Sequence, residues 1–411
     1  MKKILKNLFA IVICLSFCAC QFYKPEISLE EAVKTGDKKA VSFYLKKGEN
    51  VNQKNEESIS LLGLAAIEGH LEIVKLLLEK GANINAINGE GESAATALTG
   101  ASFGGHKDVV KILLEHGANP NLVGDLKSPG PLMAAAQEGH LEIVKLLLSS
   151  GALINASIPI FGSALSAAVR NNHIEVVKFL LEKGANVHIG SNITTSLASA
   201  AYRGNIEIVR LLLAAGANPN EKSATDGSTP LMAASQIGNT EIVSLLLTFR
   251  PNINERTLHT KISALLLAAT AGHTEVVKML LMAGAKIDLG NQENTTPLLA
   301  AAMGGHLSTV NLLINAGANV NALNKYKQTP LMAASSGGHH EVVSLLLKAG
   351  ANVNLVDEDG LSALDHAALN KHMIVVATLI GDGGARPGPH SNVRGTLITI
   401  DDDEKINVKE L

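Results

Sequence analysis

The chain has 411 residues, of which 46% are hydrophobic, 3% aromatic and 18% charged, and it contains no tryptophan. The low charged fraction argues against a disordered chain, and the net charge of -3 lacks the basic excess of a nucleic-acid-binding protein. Any core must therefore be aliphatic, and no nucleic acid is expected among the partners.

The start of the chain predicts export. Lys2 and Lys3 precede the apolar run Leu8–Ala19, which is shorter than the ~20 residues of a membrane-spanning helix. This order is typical of a signal peptide, here residues 1–19. All three cysteines lie within the first twenty residues, so the rest of the chain has no thiol for a disulfide, a zinc site or a nucleophile.

The tetrapeptide Phe17-Cys18-Ala19-Cys20 resembles the lipobox of bacterial lipoproteins. The resemblance implies a lipid on Cys20, a short linker over residues 20–26 and a place in the cell envelope. Gln21 is not the aspartate that retains such proteins at the inner membrane, so we expect the outer membrane. Ordinary signal-peptidase cleavage followed by secretion stays an alternative, because Phe17 and Cys18 match the lipobox loosely.

Residues 27–385 repeat with a period of about 33 residues. Gly-Ala-Asn ends most copies, as at Gly81-Ala82-Asn83, and a Ser/Thr-x-Leu sequence opens the next, as at Thr296-Pro297-Leu298. A period between about 20 and 50 residues indicates a solenoid, because one repeat cannot bury its apolar face without its neighbours. Eleven repeats are predicted, starting near residues 27, 60, 96, 130, 163, 195, 229, 263, 296, 329 and 362.

The sequence of each repeat predicts two short helices followed by a hairpin finger. Thr or Ser caps the first helix, often with Pro at its first position. The second helix ends at a left-handed glycine such as Gly151. Residues 83–91 carry about three extra residues, which should lengthen one finger. Arg250 replaces the glycine in the seventh repeat, and because a left-handed conformation costs arginine ~1–2 kcal/mol, we expect a distorted junction there.

The pattern Thr-Pro-Leu-x-x-Ala-Ala-x-x-Gly-His, an Ile/Val-Val-x-Leu-Leu run and Gly-Ala-Asn-x-Asn together resemble the ankyrin repeat family. The resemblance covers residues 27–385. It implies an all-α repeat solenoid, a curved superhelix of helix-turn-helix repeats with hairpin fingers. It also implies protein binding through the concave face, without catalysis.

The histidines are predicted to be structural. Eight of the fourteen share one position of the repeat, before the second helix: His70, His106, His140, His173, His273, His306, His339 and His372. The others lack the i, i+4 pairing of a helical zinc site. No G-x-S-x-G, phosphate-binding or dinucleotide-binding motif occurs. We therefore predict no enzyme, no cofactor, no metal and no small-molecule substrate.

Residues that the repeat does not require are the candidates for partner binding. Interface hot spots favour Tyr and Arg, so Arg170, Tyr202 and Arg203 form the first candidate patch. Phe103 and Phe161 have an alternative role, in which their rings fill packing gaps between fingers. The candidates on the concave face are Ile67, Glu68, Phe103, Gln137, Glu138, Arg170, Asn171, Tyr202, Arg203, Gln236, Ile237 and Met303. Those in the fingers are Phe161, Lys325, Tyr326 and Lys327.

Residues 386–411 are predicted to form a flexible tail. A short strand over residues 396–400 and a calcium-attracting acidic run at 401–404 are the alternatives. The predicted function is an exported, lipid-anchored scaffold that binds partner proteins. Two other functions stay open: a secreted effector or toxin-associated protein acting on host or competitor proteins, and a non-catalytic subunit of an enzyme complex.

Overall fold

The computed structural model describes residues 24–91, 94–125, 128–191 and 193–385, and the backbone of two strands at 396–400 and 406–410. The predicted signal peptide and Cys20 lie outside the described residues. Eleven helix pairs follow one another in the described part of the chain. The prediction of an all-α repeat solenoid is confirmed.

The chain divides into two compact units, residues up to 186 and residues from 187 onwards. The N-terminal unit contains five helix pairs: α1 (Leu29–Lys34), α2 (Lys38–Lys46), α3 (Leu61–Ile67), α4 (Leu71–Glu79), α5 (Ala97–Phe103), α6 (Lys107–Glu115), α7 (Pro131–Gln137), α8 (Leu141–Ser149), α9 (Ala164–Arg170) and α10 (Ile174–Glu182). Odd-numbered helices are the first helices of their repeats.

The C-terminal unit contains six helix pairs and the tail strands. Its helices are α11 (Ser196–Arg203), α12 (Ile206–Ala214), α13 (Pro230–Ile237), α14 (Thr240–Thr248), α15 (Ala264–Thr270), α16 (Thr274–Met282), α17 (Pro297–Met303), α18 (Leu307–Asn315), α19 (Pro330–Ser336), α20 (His340–Lys348), α21 (Ala363–Leu369) and α22 (Met373–Gly381).

The first helices begin at a capping hydroxyl. Thr296 Oγ1 accepts the main-chain N–H of Leu299 at 3.3 Å, and Pro297 occupies the first helical position. Ser or Thr caps every first helix in this way except α7, where Gly130 stands at the cap. The cap satisfies an N–H that has no partner within the helix.

The turn histidines join eight of the eleven repeats to the preceding repeat. The Nε2 atom of each lies 2.8–3.1 Å from a main-chain oxygen near the end of the preceding first helix, as from His306 to Thr270. Because a carbonyl oxygen only accepts, the ring nitrogen is the donor. The structural role predicted for these eight residues is confirmed.

The Gly-Ala-Asn-x-Asn sequence forms a second bridge between repeats. The side-chain oxygen of Asn52 accepts the main-chain N–H of Asn83, and that of Asn321 accepts the N–H of Asn352, each at 2.7 Å. The second asparagine of one repeat therefore holds the backbone of the next. The side chain of the first asparagine acts within its own repeat, where Asn50 Oδ1 accepts the main-chain N–H of Asn52 at 3.0 Å.

The core of each unit lies between the two helix layers. In α8, Ile143, Val144 and Leu147 are buried, while first helices such as α7 bury alanines. Small side chains let neighbouring first helices approach more closely than neighbouring second helices do. The first helices therefore line the concave side of each unit.

Two fingers in the N-terminal unit contain short hairpins. Strand β1 (Ile87–Asn88) pairs with β2 (Ala95–Thr96), and β3 (Ser157–Ile158) pairs with β4 (Gly162–Ser163), all antiparallel. Six residues join β1 to β2, against three between β3 and β4. The longer finger predicted from the extra residues is confirmed.

The junction at Arg250 is regular, so the predicted distortion is wrong. Arg250 adopts a left-handed conformation with φ +50°. Its N–H donates to Leu247 O at 3.0 Å, as the glycine at 284 does to the corresponding oxygen. The arginine side chain is exposed, and Asn252 N–H still donates to Asn220 Oδ1 at 2.8 Å. These bonds hold the backbone in place against a strain of ~1–2 kcal/mol.

The tail contains a hairpin. Strand β5 (Thr396–Ile400) pairs antiparallel with β6 (Ile406–Glu410), with Ile398 opposite Val408. Of the alternatives for the tail, the structure contains the short strand at residues 396–400. The acidic run at 401–404 lies outside the described residues.

Candidate protein-binding surface

The candidate surface is built on the last turns of the first helices. Its main element, which we call the inner row, consists of seven of the residues that lie three positions before a turn histidine or asparagine. These residues are Ile67, Phe103, Gln137 and Arg170 in the N-terminal unit and Tyr202, Gln236 and Met303 in the C-terminal unit.

Large apolar side chains of the inner row are about half exposed. Ile67 is 42% exposed and Phe103 51% in the N-terminal unit, and Tyr202 and Met303 are each 53% exposed in the C-terminal unit. Single exposed apolar residues are ordinary. Their recurrence at one repeat position, on the concave side of each unit, favours a contact surface.

The next repeat holds the main chain of five of the seven inner-row residues through a turn histidine. The oxygens of Ile67 and Phe103 accept from His106 and His140 at 2.8 Å and 3.1 Å. Ile67 also lies directly over Gly100, where an added Cβ would come within 2.7 Å of Ile67 Cγ1. The backbone is thus fixed while the side chains stay available to a partner.

Polar candidates flank the row in both units. Glu68 and Glu138 are exposed in the N-terminal unit, and the side-chain amide of Gln137 donates to Glu138 Oε1 at 3.1 Å. Asn171 is exposed and donates to Ala167 O at 3.0 Å. Gln236 is exposed and Ile237 half-buried in the C-terminal unit.

The three residues of the first candidate patch belong to two different units. The Arg170 guanidinium donates to Phe161 O and lies 5.8 Å from the Phe161 ring centroid. Phe161 in turn packs against a buried cluster that includes Met133, which is the packing role left open for it. Arg170 therefore stabilises a finger of the N-terminal unit. Tyr202 and Arg203 are exposed on α11 of the C-terminal unit.

The structure brings Met303 and Tyr326 to one cleft of about 350 Å³ in the C-terminal unit. The Tyr326 hydroxyl donates to Glu293 Oε1 at 3.0 Å. This bond and the Glu293 charge raise the pKa of Tyr326 above its usual range. Lys325 and Lys327 are exposed beside it, and Lys325 Nζ lies 5.4 Å from the Tyr326 ring centroid.

Sequence reasoning missed an apolar cleft of about 540 Å³ between two fingers of the N-terminal unit. Leu153 and Ile160 line it and are both exposed. A signal was present, since Leu153 stands where most repeats carry asparagine. The Asp357–His366 pair, 2.8 Å apart and largely buried, was also missed, because nothing in the repeat pattern connects those two positions.

Among the described residues, no cluster of three or more His, Cys, Asp or Glu side chains is arranged to hold a metal ion. None of the helices in that part of the chain has the length and hydrophobicity needed to cross a bilayer.

Comparison with known proteins decides the family. The model described as "Ankyrin repeats (3 copies)" matches residues 29–124, 121–191, 197–291, 249–324, 265–357 and 298–389. The chain belongs to the ankyrin repeat family. Domains of this family typically serve as protein-interaction scaffolds, and they are generally not catalytic.

Individual relatives cover parts of the chain. Notch-regulated ankyrin repeat-containing protein A of Danio rerio is 40% identical over 74 residues, which is 17% of this chain and 66% of that protein. The chain thus spans just under two thirds of that relative's length. The crystal structure of the human ASB11 ankyrin repeat domain is 32% identical, with a TM-score of 0.49, over 55% of this chain and 98% of the other.

Proposed function

We propose that this ankyrin repeat protein is an exported scaffold that binds one or more partner proteins through the inner row, its flanking residues and the finger tips. One observation supports this most directly: at Ile67, Phe103 and Met303 the inner row combines a main chain held by a hydrogen bond with a half-exposed apolar side chain. Such pre-organisation lowers the entropic cost of binding. The scaffold acts by rigid presentation, without turnover.

We infer that the mature chain is attached to the cell envelope, at the outer membrane, through a lipid on Cys20. The basic start, the apolar run and the Ala19-Cys20 junction in the sequence support this inference. Mass spectrometry of the mature N-terminus tests it. A diacylglyceryl-modified Cys20 supports the anchored scaffold, whereas an unmodified N-terminus in the culture medium supports a secreted effector instead.

Affinity purification of the exported protein, followed by single substitutions, tests the binding surface. Ile67→Ala, Phe103→Ala, Tyr202→Ala and Arg203→Ala should each be compared with Met282→Ala. Met282 is the control because it is exposed at the end of a second helix, away from the inner row.

We expect at least one of the four substitutions to weaken binding about tenfold, since hot-spot side chains contribute more than ~1 kcal/mol each. Met282→Ala should bind normally. Undiminished recovery of the partner by all four variants would remove the inner row from consideration. A co-purified partner with hydrolase or redox activity would favour the enzyme-subunit alternative.

A further inference from the structure

The cleft beside Met303 in the C-terminal unit combines an apolar floor with a charged wall. Leu299 and Met332 are buried at its floor, and Met303 stands half exposed at its rim. Glu293 and Tyr326 form the wall on the finger side. At about 350 Å³ the cleft lies at the small end of the ~300–1,000 Å³ typical of ligand sites, which suits one long side chain.

The carboxylate on this wall is bonded to the following finger. Lys325 N–H donates to the main-chain oxygen of Glu293 at 2.7 Å, and the Tyr326 hydroxyl donates to Glu293 Oε1 at 3.0 Å. The backbone and the side chain of Glu293 are therefore both bonded to the following finger. One carboxylate oxygen is engaged by the hydroxyl, and the second can accept from a ligand.

The charge in the cleft is negative. Glu293 is the acidic side chain of the lining, and no lysine or arginine lines the described cleft. His366 lies at the far end, with Nε2 2.8 Å from the buried Asp357 carboxylate. At the finger tip, Lys325 Nζ lies 5.4 Å from the Tyr326 ring centroid, within the distance at which an aromatic ring attracts a cation.

We propose that this cleft binds an arginine side chain of the partner protein. The aliphatic stem would lie against Leu299, Met303 and Met332, and the guanidinium would reach Glu293 and the Tyr326 ring. Arginine fits better than lysine, because its planar head can bond a carboxylate and stack on an aromatic ring together. The inference rests on the proposed function, since it assigns a specificity to part of that binding surface.

A partner-independent probe tests it. The mature chain, labelled with 13C at the methionine methyl groups, is titrated with N-acetyl-arginine amide and with N-acetyl-citrulline amide, which keeps the shape and lacks the charge. We expect the arginine compound to shift the Met303 and Met332 methyl resonances saturably, and the citrulline compound to leave them in place.

Two variants give opposite expectations. Glu293→Gln should weaken the arginine response about tenfold or more, because a charge-assisted hydrogen bond is lost. Lys325→Ala should strengthen it, because a competing cation leaves the ring. Glu275→Gln, at an exposed carboxylate of a second helix, is the matched control and should respond as the unmodified chain does.

Equal responses to both compounds, or an arginine response that survives Glu293→Gln, would overturn the arginine assignment. Partner capture that depends on the inner row, without any arginine response, would remove this inference and keep the proposed function. If the arginine compound binds but no partner protein is captured, the arginine-binding cleft is kept and the proposed scaffold function is removed.

Discussion

The Nε2 atom of His106 lies 2.8 Å from the main-chain oxygen of Ile67, in the preceding repeat. The same residue, Ile67, therefore has its carbonyl engaged in stacking and its side chain 42% exposed on the inner row. Stacking and the proposed partner binding therefore involve different atoms of one residue. The repeat pattern constrains the histidine and leaves the inner-row side chain free to vary.

Loss of a turn histidine should destabilise the C-terminal unit. His339 Nε2 donates to Met303 O at 3.1 Å, whereas the adjacent His340 is exposed on the first position of α20. His339→Ala removes the bond and the ring packing, and should cost ~1–2 kcal/mol. His340→Ala should stay within about 0.5 kcal/mol. The midpoints of urea unfolding compare the two, and equal midpoints would contradict the bridging role.

A glycine precedes six of the eight turn histidines and leaves room for the histidine ring of the next repeat. Gly305 has φ +69°, and an added Cβ would come within 2.5 Å of the His339 ring. Gly284 also has positive φ, +95°, but open space around it. Both alanine variants carry the backbone strain of ~1–2 kcal/mol. Gly305→Ala should lose about 1 kcal/mol more, because the ring must move and its hydrogen bond weakens; thermal unfolding measures the difference.

Arg250→Gly should stabilise the protein. Glycine relieves the left-handed strain of ~1–2 kcal/mol at φ +50°, and its extra freedom in the unfolded chain offsets ~0.5–1 kcal/mol of that gain. We expect a net gain of about 0.5–1 kcal/mol in the free energy of unfolding. The reverse change, Gly284→Arg, should lose a similar amount. A lower urea midpoint for Arg250→Gly would show that the arginine side chain makes a stabilising contact.

Acid should weaken one bridge between second helices. Hydrogen bonds from Lys38 and Lys75 lower the pKa of Glu72 from 4.5 to about 2. Because the folded-state pKa lies below the unfolded value, the stabilisation is complete above pH 4.5 and disappears as the pH falls towards 2. Glu72→Gln should flatten the stability profile in that window. Glu68→Gln, in the same repeat, is the control, and identical profiles for the two variants would refute the assignment.

Much of the fold could be predicted because the same local physics recurs eleven times. Thr296 and its counterparts cap helices through short-range bonds, and the turn histidines share one sequence position, so their common role followed from register. The prediction at Arg250 fails because it rests on backbone strain alone, whereas the Asn220–Asn252 bond holds the backbone across the repeat boundary.

The site was less accessible from sequence. The individual candidate residues can be predicted from their position in the repeat. The contacts that distinguish exposed candidates from those bonded to a neighbouring side chain or backbone cannot. Arg170 bonds Phe161 within its own repeat, and Tyr326 bonds Glu293 in the finger before it. Each contact occurs once, depends on side-chain rotamers, and leaves no periodic signal.

The histidine bridges run in one direction along each unit, because the later repeat supplies the ring donor and the earlier repeat supplies the main-chain acceptor. The asparagine bridges run in both directions: Asn321 Oδ1 accepts from Asn352 N–H, and Asn321 Nδ2 donates to Gly350 O at 3.3 Å. The histidine bonds therefore give the stack a chemical polarity. A cut between two repeats joined by a histidine would leave an unpaired main-chain acceptor on one fragment and an unpaired ring donor on the other, so this bond could re-form only head to tail.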